Sequence, residues 1–247
     1  METLQPVRRV QRVRHELKRR DVEVVRVEPL GTELVRVVFR GEDLVDFVSL
    51  GFDDHVKFIF GRGDDGEPVR RDYTPRAFDR IRRELTIDFA LHGDGHASEW
   101  ARNAVPGQRA VIGGPRGSMI VPTDYAWHML AGDATALPAI TRRLEELPAG
   151  SRAIVVALVD DLAPIEQVQS LAGVERYRVA SADELVALLR TLPLPSGEGY
   201  VWCAGEAATM ARVRDVLVQT RGHPREAIRI AAYWKQGASD FHEDLAS

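Results

Sequence analysis

A single cysteine, Cys203, stands among the 247 residues, so no internal disulfide can brace the chain and a reducing compartment, the cytoplasm by default, suits it. Lysine is nearly as scarce: of the 33 basic residues only Lys18, Lys57 and Lys235 are lysines. No apolar run is long enough to cross a bilayer. A basic stretch (Arg8, Arg9, Arg12, Arg14, Lys18, Arg19, Arg20) lies near the start, but Glu2, Glu16 and Asp21 interrupt it and no apolar segment follows, as a leader would require. It reads as a solvated surface. GxGxxG, the Walker A lysine, CxxC and HExxH are all missing, which removes the standard phosphate loops and the close-spaced metal sites. A net charge of −4 argues against a general nucleic-acid binder. There are no repeats and no low-complexity tracts, and the hydrophobic (45%) and charged (28%) fractions are those of an ordinary globular chain. Its length allows two modest cores.

The first half reads as a small antiparallel β-barrel. Residues 22–40 alternate β-branched and polar side chains around a Pro29-Leu30-Gly31 break, as two strands joined by a turn do. The run 55–60 puts Val56, Phe58 and Phe60 on one face, and a polar hairpin loop, 61–66, follows it. Leu85, Ile87, Phe89 and Leu91 oppose Thr86, Asp88, Ala90 and His92, the pattern of a half-buried strand. A further run, 109–112, follows the turn Pro106-Gly107. About six strands result, ending near Val121. Between the last two, Gly93-Asp94-Gly95-His96-Ala97-Ser98 leads into a short helix with Ser98 as N-cap. Glycines there let the backbone approach a ligand, and free amides at a helix start attract phosphate. A plain strand-to-helix turn would look the same.

The second half alternates strand and helix. Trp127–Ala131 leads through Gly132-Asp133-Ala134-Thr135 into a helix over 136–147; strands at 153–159 and 174–179 follow, then a helix over 183–192 capped by Ser181. Tyr200–Cys203 runs through Ala204-Gly205-Glu206 into a helix over 207–220. This is the pattern of a parallel sheet, with ligands at the carboxyl ends of its strands. Asp160-Asp161, if they lie beside the ribose of a bound nucleotide, would repel a 2′-phosphate, a lean that leaves the choice of nucleotide open. The fold class is thus a two-domain chain, 1–123 an antiparallel β-barrel and 124–247 an α/β unit with a parallel sheet, a pattern that by itself leaves the ligand open.

The flavin reading begins at Arg71-Asp72-Tyr73-Thr74. In an extended segment Arg71 and Tyr73 share a face and Thr74 takes the other. A guanidinium for a diphosphate, an aromatic ring for a flavin and a hydroxyl or amide for its reactive ring nitrogen would then stand together. An ordinary half-exposed strand would carry the same four residues.

The whole pattern resembles the ferredoxin-NADP reductase superfamily, whose R-x-Y-[ST] motif Arg71, Tyr73 and Thr74 match. It is more closely similar to siderophore-interacting proteins, the ferric-siderophore reductases, through DHVKFIF (54–60), RDYTPR (71–76), IDFALHGDGHASEWA (87–101), GGPRGS (113–118), LAGDATALPAI (130–140), WCAGEA (202–207) and AAYWKQG (231–237). The resemblance implies FAD contacts from Arg71, Tyr73, Thr74, His92, Gly95, Ala97 and Ser98. It implies NADH or NADPH contacts from Gly132, Asp133, Thr135, Ala136 and Glu206, and attraction of an anionic ferric siderophore by Lys57, Arg116 and Lys235. The C-terminal segment would return to the flavin. Two departures stand out, Ala134 where an acidic residue is common and His96 where a small residue or proline is.

The implied activity is electron transfer from NAD(P)H through FAD to chelated iron(III), with no catalytic acid, base or nucleophile and no resident metal. The alternatives are a flavoprotein exchanging electrons with ferredoxin and a non-catalytic siderophore- or flavin-binding module. Cys203 reads as a small buried residue rather than a redox thiol. Trp234 suits either a flavin cover or a packing aromatic.

Overall fold

The computed structural model describes residues 9–62, 66–91, 96–238 and 243–246. The first layer comprises β1 (Gln11–Arg14), β2 (Arg19–Leu30), β3 (Leu34–Arg40), β4 (Val56–Arg62), β5 (Pro68–Tyr73), β6 (Pro75–Asp79), β7 (Glu84–Ala90), helix α1 (His96–Arg102), β8 (Arg109–Gly113) and β9 (Gly117–Ile120). Seven of these strands form one antiparallel sheet in the order β5-β4-β8-β2-β3-β7-β6, while β1 and β9 pair as a separate ribbon. The sheet curls because alternate residues on each strand must reach one shared core. Val22, Val24, Val37, Phe39, Val56, Phe58, Leu85, Ile87, Phe89 and Ile112 meet there. The β2–β3 hairpin turns at Gly31, whose φ of 65° a side chain would strain.

Three details depart from the sequence expectation. The sheet has seven strands, because β6, which lacks an apolar alternation, pairs with β7. Helix α1 begins at His96, so Ser98 is not its cap but a buried residue of its first turn, and the helix stops at Arg102. Asp88, on the polar face of its strand, is 4% exposed. That face is covered by the second layer, and Arg36 satisfies the carboxylate with two hydrogen bonds of 2.7 and 2.8 Å.

The second layer runs β10 (Trp127–Asp133), α2 (Leu137–Glu146), β11 (Arg152–Leu158), α3 (Ala163–Glu166), β12 (Gly173–Val179), α4 (Ala182–Thr191), β13 (Gly199–Glu206), α5 (Ala207–Arg214), β14 (Ile228–Trp234) and β15 (Glu243–Ala246). Its order is β12-β11-β10-β13-β14-β15. The first five strands are parallel, as expected; β15 corrects the all-parallel reading by pairing antiparallel with β14. Ser181 caps α4 by accepting from the Glu184 amide at 3.2 Å, and a wider turn, Asp215–Thr220, prolongs α5. Strand order reverses between β10 and β13, and in open parallel sheets ligands bind outside the carboxyl ends at such a reversal.

Helices cover both sheet faces. One core, with Met129, Val156, Val201 and Cys203, packs against α4 and α5. The other joins the two layers, with Leu34, Phe52, Met119 and Val121 of the first meeting Leu137, Ile140, Tyr200 and Trp202 of the second. Burial pushes the Cys203 thiol well above its usual range, so it stays protonated. No helix among the described residues is long and apolar enough to cross a membrane.

His128, fully buried on β10, titrates inside this core. Burial, and secondly the positive Arg143, pull its imidazole down to about 4 from an ordinary 6.5. The unfolded chain therefore takes up a proton that the folded chain refuses, and stability falls as pH drops through 6.5 toward 4. Denaturant titrations should show a loss of about 2 kcal/mol between about pH 7 and pH 5 from this group. His128→Gln should flatten that part of the profile; an identical slope in the variant would refute the assignment.

Candidate functional site

The end of β5, the start of α1 and the carboxyl ends of β10 and β14 meet around a cleft of about 460 Å3. That volume lies within the usual range for small-molecule sites. From the first layer Arg71, Asp72, Tyr73, Thr74, Ala97 and Ser98 line it; from the second come Thr135, Pro138 and the stretch from Tyr233 to Ala238. A larger trough of about 1040 Å3 lies elsewhere on the curled sheet, but its rim mixes Arg19, Arg40, Arg62 and Arg109 with Asp21, Glu23, Glu42 and Asp43. Its charges balance, it is open, and no residue of the 71–74 motif reaches it.

Strand pleat explains the first wall. Tyr73 is half-buried, its ring centroid 4.4 Å from that of Phe89, with Phe58 at 6.2 Å and Phe60 at 6.1 Å behind it. Burial holds its phenol above the ordinary range, so the hydroxyl keeps its proton. Arg71 stands two residues earlier on the same wall, its Nη1 donating to the Arg70 carbonyl at 2.6 Å. Thr74 is 5% exposed, and its side chain hydrogen-bonds to Tyr233 of β14. That bond joins the two walls.

The second wall is organised by Asp133. Oδ1 accepts from the Thr135 amide (2.9 Å) and hydroxyl (2.5 Å), and Oδ2 from the Glu206 amide and the Trp234 indole (2.9 Å each). Glu206 in turn caps α5 by accepting from the Thr209 amide at 2.9 Å. Gly132 is pinned between neighbours, since a Cβ there would meet the Ala136 Cβ at 2.6 Å.

Among the residues expected from sequence, Arg71, Tyr73, Thr74, Ala97, Ser98, Thr135 and Lys235 converge on the cleft. Gly132, Asp133, Ala136 and Glu206 stand behind it at the carboxyl ends of β10 and β13. Lys57 lies across from Asp72 in the β4–β5 ladder, with Nζ 2.9 Å from its carboxylate. Arg116 is exposed on the loop between β8 and β9. His92 and Gly95 lie outside the described residues. Asp160 sits at the end of β11, where its amide donates to Glu33 at 2.9 Å. Sequence reasoning missed Asp72 and Tyr233, though both fall inside quoted motifs; their positions in RDYTPR and AAYWKQG were the available signal.

Both walls are held in place from beneath. Asp53, 4% exposed ahead of β4, accepts from the Trp202 indole at 3.0 Å and lies 3.0 Å from Arg229 Nε on β14. Arg76 of β6 forms a two-pronged pair with Glu145 of α2 at 2.6 and 2.7 Å. Arg142 of α2 donates to Ser49 and the Pro75 carbonyl.

A curled antiparallel sheet and a parallel-rich sheet sharing one cleft define the ferredoxin reductase-like class of fold. The narrower assignment follows from comparison: the family model for the siderophore-interacting FAD-binding domain matches residues 23–65 and 62–119, and that for siderophore-interacting protein matches 125–237. The chain belongs to the siderophore-interacting protein family. It is 35% identical to the NADPH-dependent ferric-chelate reductase of Escherichia coli, over 91% of this chain and 96% of that one. It is 30% identical to the ferric vibriobactin reductase ViuB of Vibrio cholerae, over 90% and 92%. A crystal structure of a siderophore utilization protein from T. fusca superposes with a TM-score of 0.85 at 33% identity, covering 94% of this chain and 98% of that one.

Removing the Asp53 carboxylate takes the 3.0 Å acceptor from the Trp202 indole and leaves the buried Arg229 with the more distant Asp244 carboxylate at 3.7 Å. Asp53→Ala should destabilise the fold by about 3 kcal/mol or more, read from urea midpoints. A loss below about 1 kcal/mol, the scale of an exposed pair, would show that the interaction does not hold the layers.

Proposed function

We propose that this chain is a cytoplasmic, FAD-dependent reductase of ferric siderophores, driven by NADH or NADPH. In this reading residues 1–123 seat the flavin, residues 124–247 receive the nucleotide, and the stretch 233–238 of the C-terminal segment returns to the flavin. The observation that carries it is the single cleft with Arg71, Tyr73 and Ser98 on one side and Thr135 and Lys235 on the other. A donor and a flavin must meet at one place, and this cleft is bordered by both layers. The relatives in Escherichia coli and Vibrio cholerae support it by name.

The residues present suit FAD. Tyr73 offers a planar ring that its aromatic backing keeps from turning, Arg71 offers a guanidinium to a diphosphate, and Ala97 and Ser98 bring the first turn of α1 beside them. When bound, FAD supplies the conversion between a two-electron donor and one-electron acceptors. One nucleotide thus serves two iron(III) chelates. Thr74 and Tyr233 meet between the two walls, and the neutral phenols of Tyr73 and Tyr233 place no charge beside the ring. Gly132, Thr135, Ala136 and Glu206 form the nucleotide rim.

Iron(III) is substrate here. Oxygen-rich chelators hold the hard ferric ion tightly, and reduction weakens that hold. Lys57, Arg116 and Lys235 draw the anionic chelate toward the cleft. Asp72 offsets much of the Lys57 charge, and Lys235 is exposed at the cleft edge.

The purified protein should bind FAD and turn yellow. NADH or NADPH should bleach it without oxygen, and a ferric siderophore should restore the colour while a ferrous trap reports iron(II). Bleaching by reduced ferredoxin alone, or by no donor, would overturn the reading. Arg71→Ala should weaken FAD binding at least about tenfold. Lys235→Ala should raise the apparent KM for an anionic chelate about three- to tenfold at low salt, an effect that fades as salt rises.

A further inference from the structure

A carboxylate has about four lone-pair sites, and all those of Asp133 are taken: Thr135 fills one oxygen, and the Glu206 amide and Trp234 indole fill the other. A nucleotide hydroxyl could gain Asp133 only by displacing one of these donors, and a nucleotide phosphate would be repelled. The surroundings are shaped for this use of the side chain. Gly205 adopts a φ of 154°, and a Cβ there would come within 2.9 Å of the Asp133 Cγ. The β13–β14 ladder shifts register between Gly205 and Glu206, which sets Trp234 opposite Glu206. Trp234 also lines the cleft. Asp133 thus gathers the carboxyl ends of β10, β13 and β14 on one side chain and aims an aromatic ring from behind.

We propose that Asp133 is a positioning residue that acts on the nicotinamide nucleotide through Trp234. It clamps the indole in one orientation, so that the ring is a fixed wall of the cleft against which the nucleotide is seated. The inference rests on the reductase reading for its functional consequence, whereas the clamp itself stands on geometry alone.

Asp133→Asn keeps the size of the side chain but leaves one acceptor oxygen and turns an NH2 group on two of the four donors. Trp234→Phe keeps an aromatic ring and removes the N–H. In the full-length protein, the indole N–H of Trp234, identified as the NMR signal missing in Trp234→Phe, should exchange at least about tenfold faster in Asp133→Asn. Trp202, held by Asp53, is the internal control and should not change. In steady-state kinetics Asp133→Asn should raise the KM for NADH or NADPH about fivefold or more while kcat stays within about twofold, the signature of lost binding shared by ground and transition states. Trp234→Phe should reproduce that rise, and the double variant should exceed Trp234→Phe by less than about twofold, because two residues acting as one unit are not additive. Unchanged indole exchange in Asp133→Asn, or a double variant showing the full product of both effects, would overturn the proposal. If the protein neither binds FAD nor oxidises either nucleotide, the reductase reading falls, and indole exchange alone then decides whether the clamp exists.

Discussion

One buried carboxylate fixes how the two layers meet. Asp53 belongs to the loop ahead of β4, yet its partners, the Trp202 indole and the Arg229 guanidinium, belong to β13 and β14. Apolar contact is non-directional, so the packing of Phe52 and Leu34 on Tyr200 and Trp202 would tolerate small slides. A charge pair and a hydrogen bond out of water do not tolerate them, because each ångström of separation leaves desolvated groups uncompensated. The cleft inherits that precision. Thr74 and Tyr233 come from different layers and meet across that seam.

Much of the fold was legible where a strand or helix satisfies itself locally. The alternation of Leu85, Ile87 and Phe89 gave β7 its buried face, and Ser181 marked the start of α4 through its own bond to the Glu184 amide. The elements that escaped notice depend on partners far along the chain. Strand β6 carries Arg76 inward, where Glu145 on α2 and, at 3.9 Å, Asp88 on β7 offset its charge. Asp88 looks like a surface residue until the second layer covers it and Arg36 closes on it. Strand β15 is four residues long, and nothing in its composition announces an antiparallel edge.

The site divides in the same way. Residue types that bear chemistry, Arg71, Tyr73, Ser98, Thr135 and Lys235, stood out by motif, and the fold gathers them. What sequence did not reveal is which polar groups are already engaged. Lys57 faces Asp72 in the β4–β5 ladder, a pairing set by strand register, and Asp133 is saturated by Thr135 together with the backbone and indole donors of β13 and β14. Spacing along the chain identifies candidates; hydrogen-bond accounting across it separates those available to a ligand from those that hold others in position.

The contact between Glu33 and the Asp160 amide has a mechanical meaning. It attaches the β2–β3 hairpin to the tip of β11, while Arg76 and Glu145 attach β6 to α2, and Asp53 attaches the β4 approach to β13 and β14. A body bolted at three stations cannot pivot at one without straining the other two. A jaw-like swing of one half against the other would therefore have to break at least one of these ties.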